Sequence, residues 1–269
     1  MIVRGHEIGE TPLVGGDVNV GEHVVVRVGN TVRRKVGPHT TAVHALLRHF
    51  EQVGFEGPPR VVGIDDRGRE ILTYVEGEPA LAPVPANDEA VWQLGLLLRA
   101  MHDAQVGFAH TEYQDWQRMV GTPPSGEVVC HNDLFWPNVV FRDGHVAALI
   151  DWDLAAPAPR LHDLGSAANF WIAFRPDEQC EAWGIPTDRR RERLLALCDG
   201  YGLSRKQRAE LPSAIEHKTQ IGLETYRRWG RDERRPGWAE MWDRDQDRYL
   251  VQRDLWFRRH RATIVGWLT

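Results

Sequence analysis

The chain has 269 residues, of which 42% are hydrophobic, and its formal net charge is -5. This composition is sufficient for a buried core, and the length fits one large domain or two small ones. The negative charge argues against a broad nucleic-acid-binding surface. No stretch approaches the roughly 18 apolar residues of a membrane span, and three widely spaced cysteines form neither a disulfide framework nor a zinc site. We therefore expect a cytoplasmic protein whose partners are neither membranes nor nucleic acids.

The first part of the sequence predicts strands and one helix. The segments HVVVRV (23–28) and TVRRK (31–35) flank Gly29-Asn30, which is typical of a two-residue hairpin turn. Residues 38–54 predict a helix, because apolar residues recur at helical spacing in this segment. The segments PRVVGID (59–65) and REILTYVEG (69–77) predict a second pair of strands.

The character of the sequence changes after a Pro- and Ala-rich connector at 77–88. An apolar stripe predicts a helix there, and it consists of Val91, Leu94, Leu97, Leu98 and Met101. Residues 127–131 and 138–151 predict short strands, the latter folded around Asp143-Gly144. From residue 160 onward the chain predicts helices. The division that we expect is an N-terminal lobe at 1–77 and a C-terminal lobe at 78–269.

One polar motif has the spacing of a catalytic centre. Asp133 lies in HNDLFWPN (131–138), directly after a predicted strand, and Asn138 follows five residues later. Asp151 ends the next strand, so a hairpin between them brings Asn138 and Asp151 to one end. An amide oxygen and a carboxylate are hard ligands that suit Mg²⁺, and Asp133 is left as a base for a substrate hydroxyl. A base and a metal site are the parts that phosphoryl transfer requires.

Simpler interpretations exist for each of these polar residues. An Asx-rich turn explains any one of them, although it does not explain their joint spacing. We interpret His131 as a brace of the loop. A Cys130–His131 nucleophile pair is disfavoured, because neighbours in a strand point to opposite faces. Asp153 is either a further ligand or a solvated turn residue, and Asp163 is expected to cap a helix that begins near Leu164.

The motif resembles that of the aminoglycoside phosphotransferase and choline kinase family of small-molecule kinases, whose fold is protein-kinase-like. The family typically shows His-Gly-Asp, an Asn five residues after the Asp, and then Ile-Asp-Trp or Ile-Asp-Phe; here the chain has His131-Asn132-Asp133, Asn138 and Ile150-Asp151-Trp152. The resemblance covers most of the chain. It implies an α+β fold of two lobes, with a small β-rich N-lobe and a larger, mainly helical C-lobe. It also implies that Mg²⁺ and ATP or GTP lie between the lobes.

The resemblance implies a nucleotide site in the N-lobe. The candidate phosphate cover is Gly15-Gly16, because glycines allow the backbone to approach phosphates closely. Adenine recognition would use the backbone of Tyr74 and Val75. No Walker-type loop and no dinucleotide-binding glycine motif is present in the sequence.

Kinases of this type hold the phosphates with a cation on the third strand. An arginine stands there, and either Arg33 or Arg34 is the candidate, since the sequence does not show which one faces the cleft. Arginine can bind phosphate through two nitrogens at once. The helix that usually supplies a glutamate partner has Val43 or His44 at the expected position. We therefore expect the usual Lys–Glu ion pair to be absent.

The C-terminal region is the candidate site for the acceptor. It contains most of the tryptophans, and the acids among them are Glu224, Asp232, Glu233, Glu240, Asp243 and Asp245. Aromatic rings with carboxylates suit a cationic acceptor, such as an aminoglycoside or a choline-like amine. The alternative is that the tryptophans are core residues and the acids form a solvated face. Because arginines are also abundant, an anionic or neutral acceptor stays open.

The function that we expect is transfer of the γ-phosphate of ATP or GTP to a hydroxyl of a small molecule. Asp133 would act as base, Asn138 and Asp151 would hold Mg²⁺, and Arg33 or Arg34 would bind phosphate. A pseudokinase-like module that binds nucleotide or ligand without transfer is one alternative, and a choline or amino-alcohol kinase is another. We expect a monomer or a homodimer.

Overall fold

The computed structural model describes residues 9–13, 25–80 and 87–269, without the side chains of residues 245 and 246. The N-terminal part is a five-stranded antiparallel sheet with one helix. Its strands are β1 (Thr11–Pro12), β2 (Val26–Val28), β3 (Thr31–Lys35), β4 (Val61–Ile64) and β5 (Arg69–Thr73). They lie in the order β1-β2-β3-β5-β4. The predicted hairpin at Gly29-Asn30 is confirmed, since Val28 pairs with Thr31 across it.

Helix α1 (Thr40–Gln52) follows β3 and packs its apolar face inward. Its buried residues include Leu46, Leu47 and Phe50, which the helical spacing predicts. The Phe50 ring lies 5.5 Å from the ring of Trp152, which belongs to the C-terminal part. One hydrophobic cluster therefore includes residues from both parts of the molecule.

The first helix of the C-terminal part is α2 (Asp88–Asp103), whose first turn is capped by the Asn87 side chain. This part also contains two small sheets, and the first strand of one of them precedes α2. Strands β6 (Glu78–Pro79), β8 (Val139–Arg142) and β9 (His145–Leu149) form one sheet in the order β6-β8-β9, and β7 (Val128–Cys130) pairs with β10 (Ala156–Ala158) in the other. Residues 81–86 of the connector lie outside the described residues, and the lobe division at residue 77 stays a prediction.

The remaining chain is helical and carries nearly half of the core residues. Its helices are α3 (Leu161–Trp171), α4 (Asp177–Ala182), α5 (Arg190–Tyr201), α6 (Arg205–Thr225) and α7 (Trp238–Leu268), with a π-helical segment at Tyr226–Asp232. Helices α2 and α5 approach closely at two glycines, since a Cβ on Gly200 would lie 2.1 Å from the carbonyl oxygen of Trp92. Among the described residues, no helix combines the length and apolar character needed to cross a membrane. The predicted α+β fold, with a β-rich first part and a helical second part, is confirmed.

Candidate active site

The loop between β7 and β8 positions Asp133 and Asn138. The strand ends at Cys130, and a short 3₁₀ turn at Trp136–Asn138 leads into β8. Asn138 Nδ2 donates to Asp133 Oδ2 at 2.9 Å and to the Asp133 carbonyl oxygen at 3.1 Å. A carboxylate only accepts hydrogen bonds, so the amide nitrogen of Asn138 must face Asp133. The amide oxygen of Asn138 is not used in these hydrogen bonds and remains able to bind a cation or a donor group.

Asp163 fixes the backbone of the same loop through hydrogen bonds. It is fully buried in the first turn of α3, and its carboxylate accepts from the backbone N–H groups of His131 and Asn132, each at 2.8 Å. His102 Nε2 contacts the same carboxylate at 3.1 Å. Burial acts to raise the pKa of Asp163, but these hydrogen bonds outweigh it and hold the pKa at about 2. The prediction that Asp163 caps a helix near Leu164 is therefore wrong: α3 begins at Leu161, and the carboxylate braces the loop.

The loop between β7 and β8 contains Asn132, a non-glycine residue in a backbone conformation that glycine usually adopts. Its φ is 69°, a left-handed conformation that usually favours glycine. Asparagine is among the few other residues that adopt it readily. Its side-chain Nδ2 donates to the Leu154 carbonyl oxygen at 3.0 Å, which ties the loop to the segment before β10.

His131 and Cys130 are both fully buried. His131 Nε2 lies 3.0 Å from the Ile150 carbonyl oxygen, and its ring packs edge-on against Trp152. These contacts fit the interpretation that His131 braces the loop. Burial raises the pKa of the Cys130 thiol well above its ordinary value, so this thiol is neither accessible nor ionised. A cysteine nucleophile at this position is excluded.

The β8–β9 hairpin brings Asn138 and Asp151 to one end of the sheet. Its turn is Asp143-Gly144, both with positive φ, as the sequence predicts. The Ile150 N–H donates to the Asn138 carbonyl oxygen at 2.9 Å, which joins the two ends. Asp151 itself has a φ of 62°, and its side chain is half exposed. An amide oxygen and a carboxylate at one edge of a cleft are a donor set that fits Mg²⁺.

The pleat of β3 separates the two candidate arginines. Arg33 turns away, where its guanidinium donates to Thr31 Oγ1 and lies 3.9 Å from Asp65. Arg34 faces the cleft and lies 3.2 Å from Asp151 Oδ1. Burial acts to lower the pKa of Arg34, but the surrounding carboxylates outweigh it and raise this pKa. Of the two candidate arginines, Arg34 is therefore the one that faces the cleft beside the loop between β7 and β8.

Glu70 is a partner of Arg34 that the sequence reasoning missed. The two residues pair in register across β3 and β5, and Arg34 Nε lies 2.9 Å from Glu70 Oε1. His44, on α1, contacts the other carboxylate oxygen at 2.6 Å. Arg34 and Glu70 thus form an ion pair in which the glutamate comes from strand β5. The position on α1 where such kinases usually have a glutamate holds His44, which contacts Glu70. Aligning the two predicted strands against each other could have found this ion pair.

Asp153 joins the same charged group. It forms an ion pair with Arg34, and His39 Nε2 lies 3.3 Å from its carboxylate. The enclosing cleft acts to raise the pKa of both Asp151 and Asp153. The pKa of Asp151 is raised, since Asp153 and Asp133 add to this effect, whereas Arg34 and His39 lower the pKa of Asp153. Asp153 is thus paired with Arg34 although its side chain is 37% exposed, and a role as a further ligand stays a prediction.

The predicted adenine and phosphate-cover residues are only partly described. The Tyr74 N–H donates to the Asn30 carbonyl oxygen at 2.8 Å, so this amide is already used within the sheet. The guanidinium of Arg27 lies 3.6 Å from the centre of the Tyr74 ring. Val75 is partly buried, and its role stays a prediction. Gly15 and Gly16 lie outside the described residues.

One cavity of about 770 Å³ collects the residues of this centre. Arg34, Asp133, Asn138, Asp151 and Asp153 line one end. Aromatic residues also line the cavity: Phe135 comes from the loop between β7 and β8, and the helical part supplies Phe170, Trp183, Tyr226, Trp238 and Tyr249. The cavity therefore joins the charged cleft to a chamber with aromatic walls.

The acidic residues predicted to face a cationic acceptor do not line this cavity. Most of them form ion pairs with nearby arginines, as in the pairs Arg227–Glu224, Arg231–Asp232, Arg228–Glu233 and Arg234–Asp243. Glu240 accepts from the Gly237 N–H at the start of α7. The side chain of Asp245 is outside the described part. The described acids thus form a surface network, which is the alternative that the sequence left open.

Comparison with known proteins identifies the family. The model of the phosphotransferase enzyme family, APH, matches residues 112–195, which include the catalytic loop. The trifolitoxin immunity protein of Rhizobium leguminosarum bv. trifolii is 33% identical over 265 residues, covering 95% of this chain and 97% of that protein. The chain belongs to the phosphotransferase enzyme family.

Solved structures support the fold. An amicoumacin kinase in complex with AMP-PNP and Ca²⁺ superposes with a TM-score of 0.62 at 12% identity, covering 97% of this chain and 89% of that one. A microcompartment-associated aminopropanol kinase gives 0.57 at 14% identity, with 97% and 95% covered. An ethanolamine kinase of Plasmodium vivax gives 0.55 at 11% identity, with 97% and 84% covered. The chain is similar to these small-molecule kinases over nearly its whole length.

Proposed function

We propose that this protein is a small-molecule kinase that transfers the γ-phosphoryl group of ATP or GTP to a hydroxyl. The observation that carries the proposal is the convergence of four side chains at one end of a single cavity: Arg34, Asp133, Asn138 and Asp151. A base, two oxygen ligands and a phosphate-binding cation are the parts that the reaction needs. A passive binding module would require no base beside the metal ligands.

Each side chain has a distinct task in the proposed reaction. Asp133 accepts the proton of the acceptor hydroxyl while the hydroxyl oxygen attacks the γ-phosphorus. The bond between the γ-phosphorus and the oxygen that bridges it to the β-phosphate breaks, and ADP or GDP is released. Asn138 keeps the Asp133 carboxylate oriented through the 2.9 Å hydrogen bond. The Asn138 amide oxygen and Asp151 would hold Mg²⁺, which neutralises phosphate charge when bound.

Arg34 is suited to bind the phosphates of the donor. Glu70 engages its Nε, so the guanidinium is fixed with its terminal nitrogens toward the cleft. Those nitrogens contact the carboxylates of Asp151 and Asp153, which are oxyanions like the phosphate oxygens. Arginine binds such groups through parallel hydrogen bonds. The role of the usual lysine would thus be taken by Arg34, supported by Glu70 and His44.

The direct test is a screen for acceptor-dependent nucleotide consumption. Purified protein with Mg²⁺ and ATP or GTP would be tested against aminoglycosides, choline-like amines, amino alcohols and hydroxy acids. We expect release of ADP or GDP to rise with one class, and the product to carry one additional phosphate by mass spectrometry. Failure of the protein to bind either Mg-nucleotide in a direct titration would contradict the proposal.

A second candidate concerns the biological task. The curated relative is named for immunity to trifolitoxin, and the likeness extends over nearly both chains. We propose that this protein protects its host by phosphorylating a toxin or antibiotic. A trifolitoxin-sensitive strain expressing the chain should grow at toxin levels that stop the parent strain, and Asp133→Asn should abolish this. Protection that persists in the variant would indicate capture without transfer, and no protection would remove this toxin as the substrate.

A further inference from the structure

Three buried cations converge on the chamber of the active-site cavity. Arg175 follows α3, Lys218 lies on α6 and Arg253 lies on α7, so that each comes from a different element. Their exposed fractions are 2%, 5% and 7%, and all three line the cavity. None of them belongs to the catalytic centre described above.

None of these three cations forms an ion pair with a carboxylate in the described part of the chain. Arg253 makes no hydrogen bond or ion pair there, its Nε is buried without a partner, and its guanidinium lies 5.9 Å from the centre of the Phe170 ring. Arg175 donates only to the Asn169 carbonyl oxygen, and its Nε is also unsatisfied. Lys218 Nζ donates to the sulfur of Met119 at 3.5 Å. A buried cation without an anion destabilises a fold unless something else offsets the cost.

The protonation behaviour agrees with this geometry. Burial lowers the pKa of Lys218 to about 8, that of Arg253 to about 9 and that of Arg175 to about 10. Repulsion from Arg175 contributes to the lowered pKa of Arg253, and repulsion from Arg253 contributes to that of Lys218, so the three groups are close enough to repel. An anion placed among them would relieve this repulsion.

The position of the three cations indicates that a bound anion would belong to the acceptor and not to the nucleotide. Asp133 and Asp163 raise the pKa of Lys218, which therefore lies next to the catalytic loop. Arg253 responds instead to Arg175 and Asp254. Among the described residues, the carboxylates that line the cavity are Asp133, Asp151 and Asp153, all at the nucleotide end. The chamber is thus basic, with aromatic walls.

From this arrangement we infer that the acceptor bears an oxyanion, a carboxylate or a phosphate, which Arg253, Lys218 and Arg175 bind while its hydroxyl reaches Asp133. The aromatic walls suit an apolar body between the two polar groups. The inference rests on the proposed function, since it names the substrate class of that site. It also replaces the expectation of a cationic acceptor, for which the described cavity offers no free carboxylate beyond the catalytic end.

Three probes with the same ring system and different charges test this inference by binding alone. Indole-3-acetate, indole-3-acetamide and tryptamine share one ring system and are anionic, neutral and cationic at pH 7. They would be titrated by ligand-observed NMR into protein saturated with Mg-AMP-PNP, so that the donor-phosphate end is filled. We expect the anion to bind at least tenfold more tightly than the amide, and tryptamine to bind most weakly. Equal affinities, or preference for tryptamine, would overturn the inference.

Variants assign the preference to the cation group. Arg253→Met should reduce the preference for the anion to threefold or less, and Arg253→Lys should retain part of it. The matched control is Arg259→Met, the same change at an exposed position of the same helix, which should leave the preference intact. Arg253→Met should melt no lower than wild type without ligand, since an unpaired buried cation is replaced by an apolar side chain. An unchanged preference in Arg253→Met would contradict the assignment.

The titrations also separate the two sources of an oxyanion. If the cations serve the donor phosphates, indole-3-acetate will bind only when nucleotide is absent, and Arg253→Met will weaken Mg-AMP-PNP itself. That result would overturn the inference and leave the proposed function standing. Conversely, a preference for the anion in a protein that transfers no phosphate would refute only the proposed function.

Discussion

Arg34 is the residue on which the charge balance of the cleft depends. It contacts Glu70, Asp151 and Asp153, carboxylates from two parts of the chain. Its neighbour Arg33 points to the other face of the sheet, because side chains alternate along a strand. The pair offers a matched comparison, in which one residue lines the cavity and the other does not.

The two arginines should differ in their effect on nucleotide binding. Arg34→Ala should weaken Mg-ATP binding by roughly tenfold or more, since a charge-assisted hydrogen bond contributes about 1.5–3 kcal/mol. Arg33→Ala should bind Mg-ATP like wild type and change stability by about 0.5 kcal/mol or less. Calorimetric titration of both variants checks this. Equal affinity in both would remove Arg34 as the phosphate-binding cation.

Asp151 is the charged member of the proposed metal site, so it can be tested by metal dependence. In wild type, Mg²⁺ should tighten nucleotide binding. Asp151→Asn should lose most of this gain, because the charged ligand becomes a neutral one. Titrations with and without Mg²⁺ measure the gain in each protein. The same Mg²⁺ effect in both would contradict the assignment of Asp151.

At the scale of elements, helix α3 supports the catalytic loop through its first turn. Asp163 and His162 are adjacent there and both buried, and they titrate in different pH ranges. Burial and, to a smaller extent, Lys218 lower the pKa of His162 to about 3, although Asp163 opposes this. His162 is therefore neutral in the folded protein at neutral pH.

His162 should make the fold sensitive to mild acid. Its pKa in the folded state is below its ordinary value of 6.5, so the unfolded chain takes up the proton first as the pH falls. The contribution of neutral His162 to the free energy of unfolding is fully present above about pH 6.5 and is lost as the pH falls toward 3. Between pH 7 and 5 the loss is on the order of 2 kcal/mol. Melting temperatures across this range should fall less steeply in His162→Phe than in wild type. The exposed control His145→Phe should keep the wild-type slope, and an unchanged slope in His162→Phe would refute the prediction.

The elements show what could be predicted from sequence and what could not. The β8–β9 hairpin and helix α1 follow local rules, a turn dipeptide and a helical spacing, and both were predicted with small errors at their ends. The partners Arg34 and Glu70 meet only through the pairing of β3 with β5, which no local pattern specifies. For that reason the strand glutamate was missed while the catalytic loop was found.

The cations of the chamber could not be predicted from local sequence patterns either. Arg175, Lys218 and Arg253 are far apart in the sequence and meet only because α3, α6 and α7 pack around one cavity. Nothing in their local sequence distinguishes them from the many surface arginines. The count of acids and tryptophans pointed to a cationic acceptor, but burial and pairing show that most of these acids form a surface network.

At the scale of the whole molecule, the charged cleft and the acceptor chamber form one continuous space. The β-rich part supplies Arg34, the β7–β8 loop supplies Asp133, the end of the β8–β9 hairpin supplies Asp151, and the helical part supplies most of the chamber. Phe50 against Trp152 couples the first part to the core of the second. On the proposed function, donor and acceptor would meet at Asp133 within this space.

Asp133→Asn tests most directly whether phosphate is transferred there. The change keeps the shape of the side chain and removes its basicity, and a general base contributes roughly 10²- to 10⁴-fold to rate. The measurement is nucleotide turnover with an acceptor found in the screen, beside a titration of Mg-nucleotide binding. We predict that the variant folds, binds Mg-nucleotide about as tightly as wild type, and loses at least roughly 10²-fold in turnover. Undiminished turnover in the variant would contradict the catalytic role of Asp133 and, with it, the reading of this cavity as a kinase active site.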